Sequence, residues 1–137
     1  GAACDNRLDT FHEMSLAASL SRTLEPDDHL GAREVLALAT CEGARALGLG
    51  EVTGSLEPGK QADVIVVGHA GPHQAPNETL DPCTTLVHAT RPTDVRLTMV
   101  AGRILYRDGN WTTLDPTRVL AEARVAARDL ARRAAEA

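Results

Sequence analysis

The side chains able to do chemistry in this sequence are histidines, cysteines, one lysine and a scatter of carboxylates, and their spacing narrows what that chemistry can be. The histidines are His12, His29, His69, His73 and His88, with no His-x-His pair among them. His69 and His73 stand four residues apart, a spacing that would put two metal ligands on one helix face. Gly71 and Pro72 lie between them and oppose a helix, so the pair is not read as a ligand set. Cys4, Cys41 and Cys83 are odd in number and widely separated, which supports neither a disulfide framework nor a Cys-x-x-Cys zinc site and fits a reducing compartment. Gly54 to Lys60 nearly imitates the phosphate-cradling pattern G-x-x-x-x-G-K-[ST]. Gln61 stands where the hydroxyl residue belongs, and a strand follows the motif instead of preceding it, so Lys60 is read as structural. Asp63, at the entrance of that strand, is read as a turn or backbone-capping residue rather than as a catalytic acid.

The elements that must position these residues centre on Thr53 to Val67, T-G-S-L-E-P-G-K-Q-A-D-V-I-V-V. Pro58 pre-sets φ and Gly59 accepts φ > 0, which predicts a type II turn at 56–59 or one residue on. Val64 to Val67 predict a strand, and their lack of alternation predicts cover on both faces. Val52 to Leu56 predict a short strand before the turn. Upstream, Asp5 and Asn6 can cap a helix carrying Leu8, Phe11, Met14 and Ala18, and Thr10 with Glu13 offers an alternative capping box. Ala32 to Ala39 and Thr40 to Ala46 predict two short helices, the second capped by Thr40 and stopped at Gly48 or Gly50. Gly68 to Pro82, with Gly71, Pro72, Pro76 and Pro82 among few apolar residues, predicts a long surface loop. Thr84 to Ala89 fits either a helical turn or a short strand. Val95 to Val100 and Arg103 to Arg107 predict a hairpin across Ala101-Gly102, with Asp108-Gly109 as a second turn leading to Trp111. Asp115 and Pro116 open a last helix to about Ala135, with an apolar stripe through Val119, Ala123, Ala126, Leu130 and Ala134, an Asp129–Arg133 pair four residues apart, and a partner surface to pack on.

Size and composition set limits. The 137 residues suffice for one domain but fall short of the roughly 250 of a complete eight-stranded α/β barrel. Aromatic residues make up only 2% of the chain, so Ala, Val and Leu must build a core that is marginal in isolation. A formal charge of −5 argues against non-specific nucleic-acid binding. The arginines at 124, 128, 132 and 133 alternate with Glu122, Asp129 and Glu136, as on a solvated helix face. Neither a signal peptide nor a run of about 18 apolar residues is present, so the expectation is a cytoplasmic chain with no membrane and no nucleic-acid partner.

The ordered combination of motifs is more specific than any one of them. Gly54-Ser55-Leu56-Glu57-Pro58-Gly59-Lys60-Gln61-Ala62-Asp63 with its strand, preceded by Ala39-Thr40-x-x-Gly43-Ala44-x-Ala46-Leu47-Gly48-Leu49 and followed by Val95 to Gly109, resembles the C-terminal signature of the metal-dependent amidohydrolase superfamily. More narrowly, it is similar to the cytosine deaminase-like, chlorohydrolase-like and purine or guanine deaminase-like branch. The resemblance implies an α/β fragment: the last helical segment of a TIM-like (β/α)8 barrel over residues 1–49, the C-terminal part of a small accessory β-sandwich over 50–114, and a terminal helix over 115–137. Gly54, Pro58, Gly59, Lys60, Asp63 and Gly102 are then the structural motif.

The same resemblance implies that the parent enzyme binds one divalent metal, zinc or iron, and that the metal aspartate would stand just before Gly1. None of the histidines falls at a ligand position, and Asp5 follows the metal residue rather than replacing it. Catalytic residues and metal ligands are therefore expected to be absent from this chain. Asn6, with Cys4 and Asp5, is expected to line the substrate pocket, Asn6 having a helix cap as its structural alternative. The expected function is that of a C-terminal fragment of a hydrolase or deaminase acting on C–N bonds of a nitrogen heterocycle, inactive alone and partnered by the missing barrel segments or a self-associating copy. The alternative is a free-standing, non-catalytic structural or interaction module derived from that architecture.

Overall fold

The computed structural model of the chain describes residues 8–76 and 81–136. Three helices come first: α1 (Thr10–Leu24), α2 (Ala32–Leu38) and α3 (Cys41–Ala46). Strand β1 (Val64–Val67) follows, then a 3-10 turn at Pro72–Gln74, helix α4 (Pro82–His88) and a second 3-10 turn at Pro92–Asp94. Strands β2 (Val95–Val100), β3 (Arg103–Arg107) and β4 (Asn110–Trp111) and helix α5 (Pro116–Ala135) complete the chain. The four strands form one open antiparallel sheet in the order β1-β2-β3-β4, so the described fold is part helical layer and part sheet.

The core lies among helices. Met14 and Ala18 on α1, Val35 on α2 and Val87 on α4 are buried against one another, with Phe11, Leu30 and Leu36 packed around them. Asp9 supplies the N-cap of α1, accepting from the His12 amide at 3.1 Å, so the helix begins after Asp9 and does not use the Thr10–Glu13 box. The other candidate caps, Asp5 and Asn6, lie outside the described residues. Thr40 precedes α3 without capping it. Its hydroxyl donates to the Leu36 carbonyl at 2.7 Å, one turn back, which satisfies the end of α2 instead. Gly48, at φ +72, then lets the Leu49 amide reach the Ala44 carbonyl and closes α3.

Residues 52–56, expected as a strand, turn against α3. The Val52 and Thr53 amides both bond the Leu49 carbonyl, and Gly54 takes φ +96, values that no extended strand allows. The segment 84–89 settles as helix: Pro82 takes a first-turn position and the Asp81 carboxylate caps the Cys83 amide at 3.2 Å.

The hairpin β2–β3 turns at Ala101 (φ +48) and Gly102 (φ +77), and β3–β4 at Asp108 (φ +45) and Gly109 (φ +88). Two successive positive φ values mark the turn whose twist matches that of the flanking strands. β1 does not have the two covered faces its sequence predicts, since Ile65 is 52% exposed and Val66 49%. The four-residue apolar run still pairs with β2, but those two side chains are left half exposed among the described residues. α5 likewise stands clear. Asp115 caps it through the Thr117 and Arg118 amides, yet none of its residues is buried and Leu130 is 69% exposed. Its acid–base pairs are Arg118–Glu122 at 3.4 Å and Asp129–Arg132 at 3.7 Å, the latter one residue closer than expected. No helix among the described residues is long and apolar enough to cross a membrane.

Candidate functional site

A cleft of about 810 Å³ lies between the helical layer and the sheet. Phe11 and Met14 of α1, Leu36 of α2 and Leu86 of α4 face Ile65 and Val67 of β1 across it. The helix positions follow from spacing: Phe11 and Met14 are three apart and share a face. Its polar lining includes His69 and Gln74 from the segment after β1, Thr85 of α4 and Thr90 just after that helix. Leu8 and Asp9 also line it, which brings the described beginning of the chain to its edge. A cleft of this kind can hold an apolar or planar group or a packed polypeptide segment. Its described lining offers no paired nucleophile and base.

The segment after β1 is tied to the second 3-10 turn through Asp94. His73 Nε2 donates to Asp94 Oδ2 at 2.9 Å, the Arg91 amide donates to the same oxygen at 2.8 Å, and the Gly68 amide donates to the Asp94 carbonyl at 2.8 Å. Burial pushes the Asp94 carboxyl up, but the His73 and Arg91 hydrogen bonds and the charges beside it outweigh that and hold it below the usual range. An ionised carboxylate only accepts, which fixes the proton on His73 Nε2. Gln74 is buried at 3% exposure with both ends of its amide used: Nε2 donates to the Gly68 carbonyl at 3.1 Å and Oε1 accepts from the Gly71 amide at 3.2 Å.

The motif residues gather away from the cleft. The Lys60 amide bonds the Glu57 carbonyl at 3.2 Å across Pro58 and Gly59, and Gly59 at φ +94 completes the turn one residue later than Leu56–Gly59. Lys60 Nζ donates to Ser55 Oγ at 2.7 Å and lies 3.2 Å from Glu57 Oε1. Ser55 and Lys60 together hold the Glu57 carboxyl below its ordinary range. Asp63 receives the Ala101 amide at 2.7 Å and the Thr53 hydroxyl at 2.7 Å, and these two bonds depress its carboxyl. Asp63 thereby joins three pieces: the loop at Thr53, the start of β1 and the β2–β3 turn, where the Gly102 amide also reaches the Ala62 carbonyl at 3.1 Å. Gly54 sits so close to α3 that a Cβ there would lie 2.6 Å from the Ala44 Cβ.

Cys4, Asp5 and Asn6, the expected pocket residues, lie outside the described residues. Asp94 and Gln74 went unnoticed in the sequence. For Asp94 the run Arg91-Pro92-Thr93-Asp94 carried a signal, a proline at a first-turn position followed by an acid that can bond back to the Arg91 amide. Gln74 had none.

Residues 1–105 match the profile of the Amidohydrolase family. The chain belongs to the amidohydrolase family. Within it, the chain falls in the deaminase and chlorohydrolase-like branch. It is 39% identical over 132 residues to a 5-methylthioadenosine/S-adenosylhomocysteine deaminase of Syntrophobacter fumaroxidans, covering 95% of this chain and 30% of that protein. Its fold is similar to that of an adenosine deaminase from Xanthomonas campestris with bound zinc, at a TM-score of 0.88 and 34% identity, over 96% of this chain and 30% of that one. An atrazine chlorohydrolase from Arthrobacter aurescens complexed with zinc matches at a TM-score of 0.80 and 26% identity, over 91% of this chain and 28% of that one. This amidohydrolase chain therefore spans about 30% of the length of the curated relatives it matches. Its described residues do not fit the zinc that those structures hold, because no three His, Cys, Asp or Glu side chains among them converge on a point.

Proposed function

We propose that this chain is the C-terminal portion of a metal-dependent aminohydrolase that breaks a C–N bond of a small nitrogen heterocycle, a ring amino group leaving as ammonia and water supplying the new oxygen. The chain alone is inactive in this reading. The metal, zinc or iron, and the residues that bind it belong to polypeptide outside the 137 residues. Residues 1–49 supply the last helices of a barrel, 50–114 part of an accessory β-sandwich, and 115–137 a terminal helix. Asn6, with Cys4 and Asp5, contributes to the substrate pocket of the assembled, cytoplasmic enzyme. The exposed β1 side chains and the stripe of α5 associate with the missing segments or with a second copy.

One observation carries the reading: 39% identity over 95% of the chain to a protein named 5-methylthioadenosine/S-adenosylhomocysteine deaminase, of which the chain spans only 30%. The match favours an adenine-type ring over a pyrimidine or triazine. A graft tests it. Replacing the matching 30% of the Xanthomonas campestris adenosine deaminase with this chain should give a folded protein that releases ammonia from adenosine, while the chain alone with added zinc releases none. A folded, zinc-loaded graft without activity refutes the functional reading, and activity from the chain alone refutes its dependence on other segments.

A further inference from the structure

We infer that residues 68–76 form a latched strap closing the sheet-side wall of the cleft, with His73 and Asp94 as the latch and Gly71 as the residue that lets it close. One side of the strap faces the cleft through His69 and Gln74. The other is fastened to the Pro92–Asp94 turn, where the His73–Asp94 bond at 2.9 Å joins residues 21 apart in sequence. Both partners are largely shielded, the His73 side chain at 20% exposure and that of Asp94 at 13%, so water competes weakly for the bond.

Gly71 is part of the device. A Cβ there would lie 2.5 Å from the His73 Cε1 and 2.8 Å from its Nδ1, inside any allowed contact. Glycine lets the imidazole fold back across the strap and point Nε2 at Asp94. The strap's internal bonds, from Gln74 Nε2 to the Gly68 carbonyl and from the Gly71 amide to Gln74 Oε1, make it a unit that moves together rather than fraying residue by residue. When the latch opens, Gln74 leaves the wall and the cleft opens toward solvent. The latch needs neither metal nor substrate.

Hydrogen exchange read by mass spectrometry tests the inference on the 137-residue chain. His73→Ala and the near-isosteric Asp94→Asn should each speed exchange of the 68–76 amides by about tenfold or more, the loss expected for a charge-assisted bond, with the peptides of α1 and α2 unchanged. Gly71→Ala, which leaves both latch groups in place, should do the same by displacing the ring. The same variants should raise the fluorescence of 8-anilinonaphthalene-1-sulfonate as the apolar wall is uncovered. Unchanged exchange over 68–76, or equal acceleration in α1 and α2, overturns the latch, and faster strap exchange without added dye fluorescence overturns its place in the cleft wall.

Discussion

Val87→Ala should destabilise the chain far more than the same change at Val119. Val87 on α4 is 1% exposed and packed against Met14, Ala18 and Val35, whereas Val119 on α5 is 46% exposed. Removing two buried methyl groups loses about 1.6 kcal/mol of transfer free energy, the cavity adds about 1 kcal/mol, and alanine's better helix propensity returns about 0.6 kcal/mol. The net loss is about 2 kcal/mol at Val87. At Val119 the half-exposed side chain loses about 0.8 kcal/mol, which the propensity gain nearly cancels. Urea titrations followed by circular dichroism give both values. With so few buried apolar side chains in the described core, a loss of about 2 kcal/mol is a large part of the stability of a small domain. Equal losses at the two positions, within about 0.5 kcal/mol, would refute the placement of the core among α1, α2 and α4.

Acid should weaken the fold through Asp94, Asp63 and Glu57, whose carboxyls are held below their ordinary range. Their folded pKa values lie below the unfolded ones, so their contribution is complete above the unfolded values near 4 and is lost as pH falls through the folded values. The urea midpoint should drop on going from pH 5 to pH 3, less steeply in Asp63→Asn, and an unchanged slope in that variant would remove Asp63 from the account. Gly102→Ala meets only the backbone cost of φ +77, since nothing lies within 4 Å of the added Cβ, and should cost about 1 kcal/mol. Gly54→Ala meets that cost and also the Ala44 Cβ at 2.6 Å, so it should cost at least about 2 kcal/mol, and a smaller loss than at Gly102 would show that the loop does not press on α3.

Local chemistry made part of this structure legible. Pro58-Gly59 placed a turn, Ala101-Gly102 a hairpin, and Asp115-Pro116 a helix start, because each depends on conformations that few residues accept. Val52 to Leu56 misled because their side chains suit a strand while Gly54, pressed against Ala44, bends the backbone away. The VIVV run of β1 speaks of burial, but burial against what is a tertiary fact, and the described residues leave Ile65 and Val66 half uncovered. The clasp between His73 and Asp94 was invisible for a similar reason: its partners are 21 residues apart, joined only once β1 and β2 pair and bring Gly68 to the Asp94 carbonyl. The motif from Gly54 to Asp63 was legible as a family signature, and its geometry is that of a brace joining α3, β1 and the β2–β3 turn.

In the function proposed for it, this chain supplies scaffold and cleft while the metal and its ligands come from elsewhere. Metal stoichiometry tests it most directly. The purified 137-residue chain, incubated with excess zinc or ferrous iron, passed through gel filtration and measured by inductively coupled plasma mass spectrometry, should retain far less than one ion per chain. One tightly held zinc or iron per chain, lost on substitution of its own histidines, would contradict the claim.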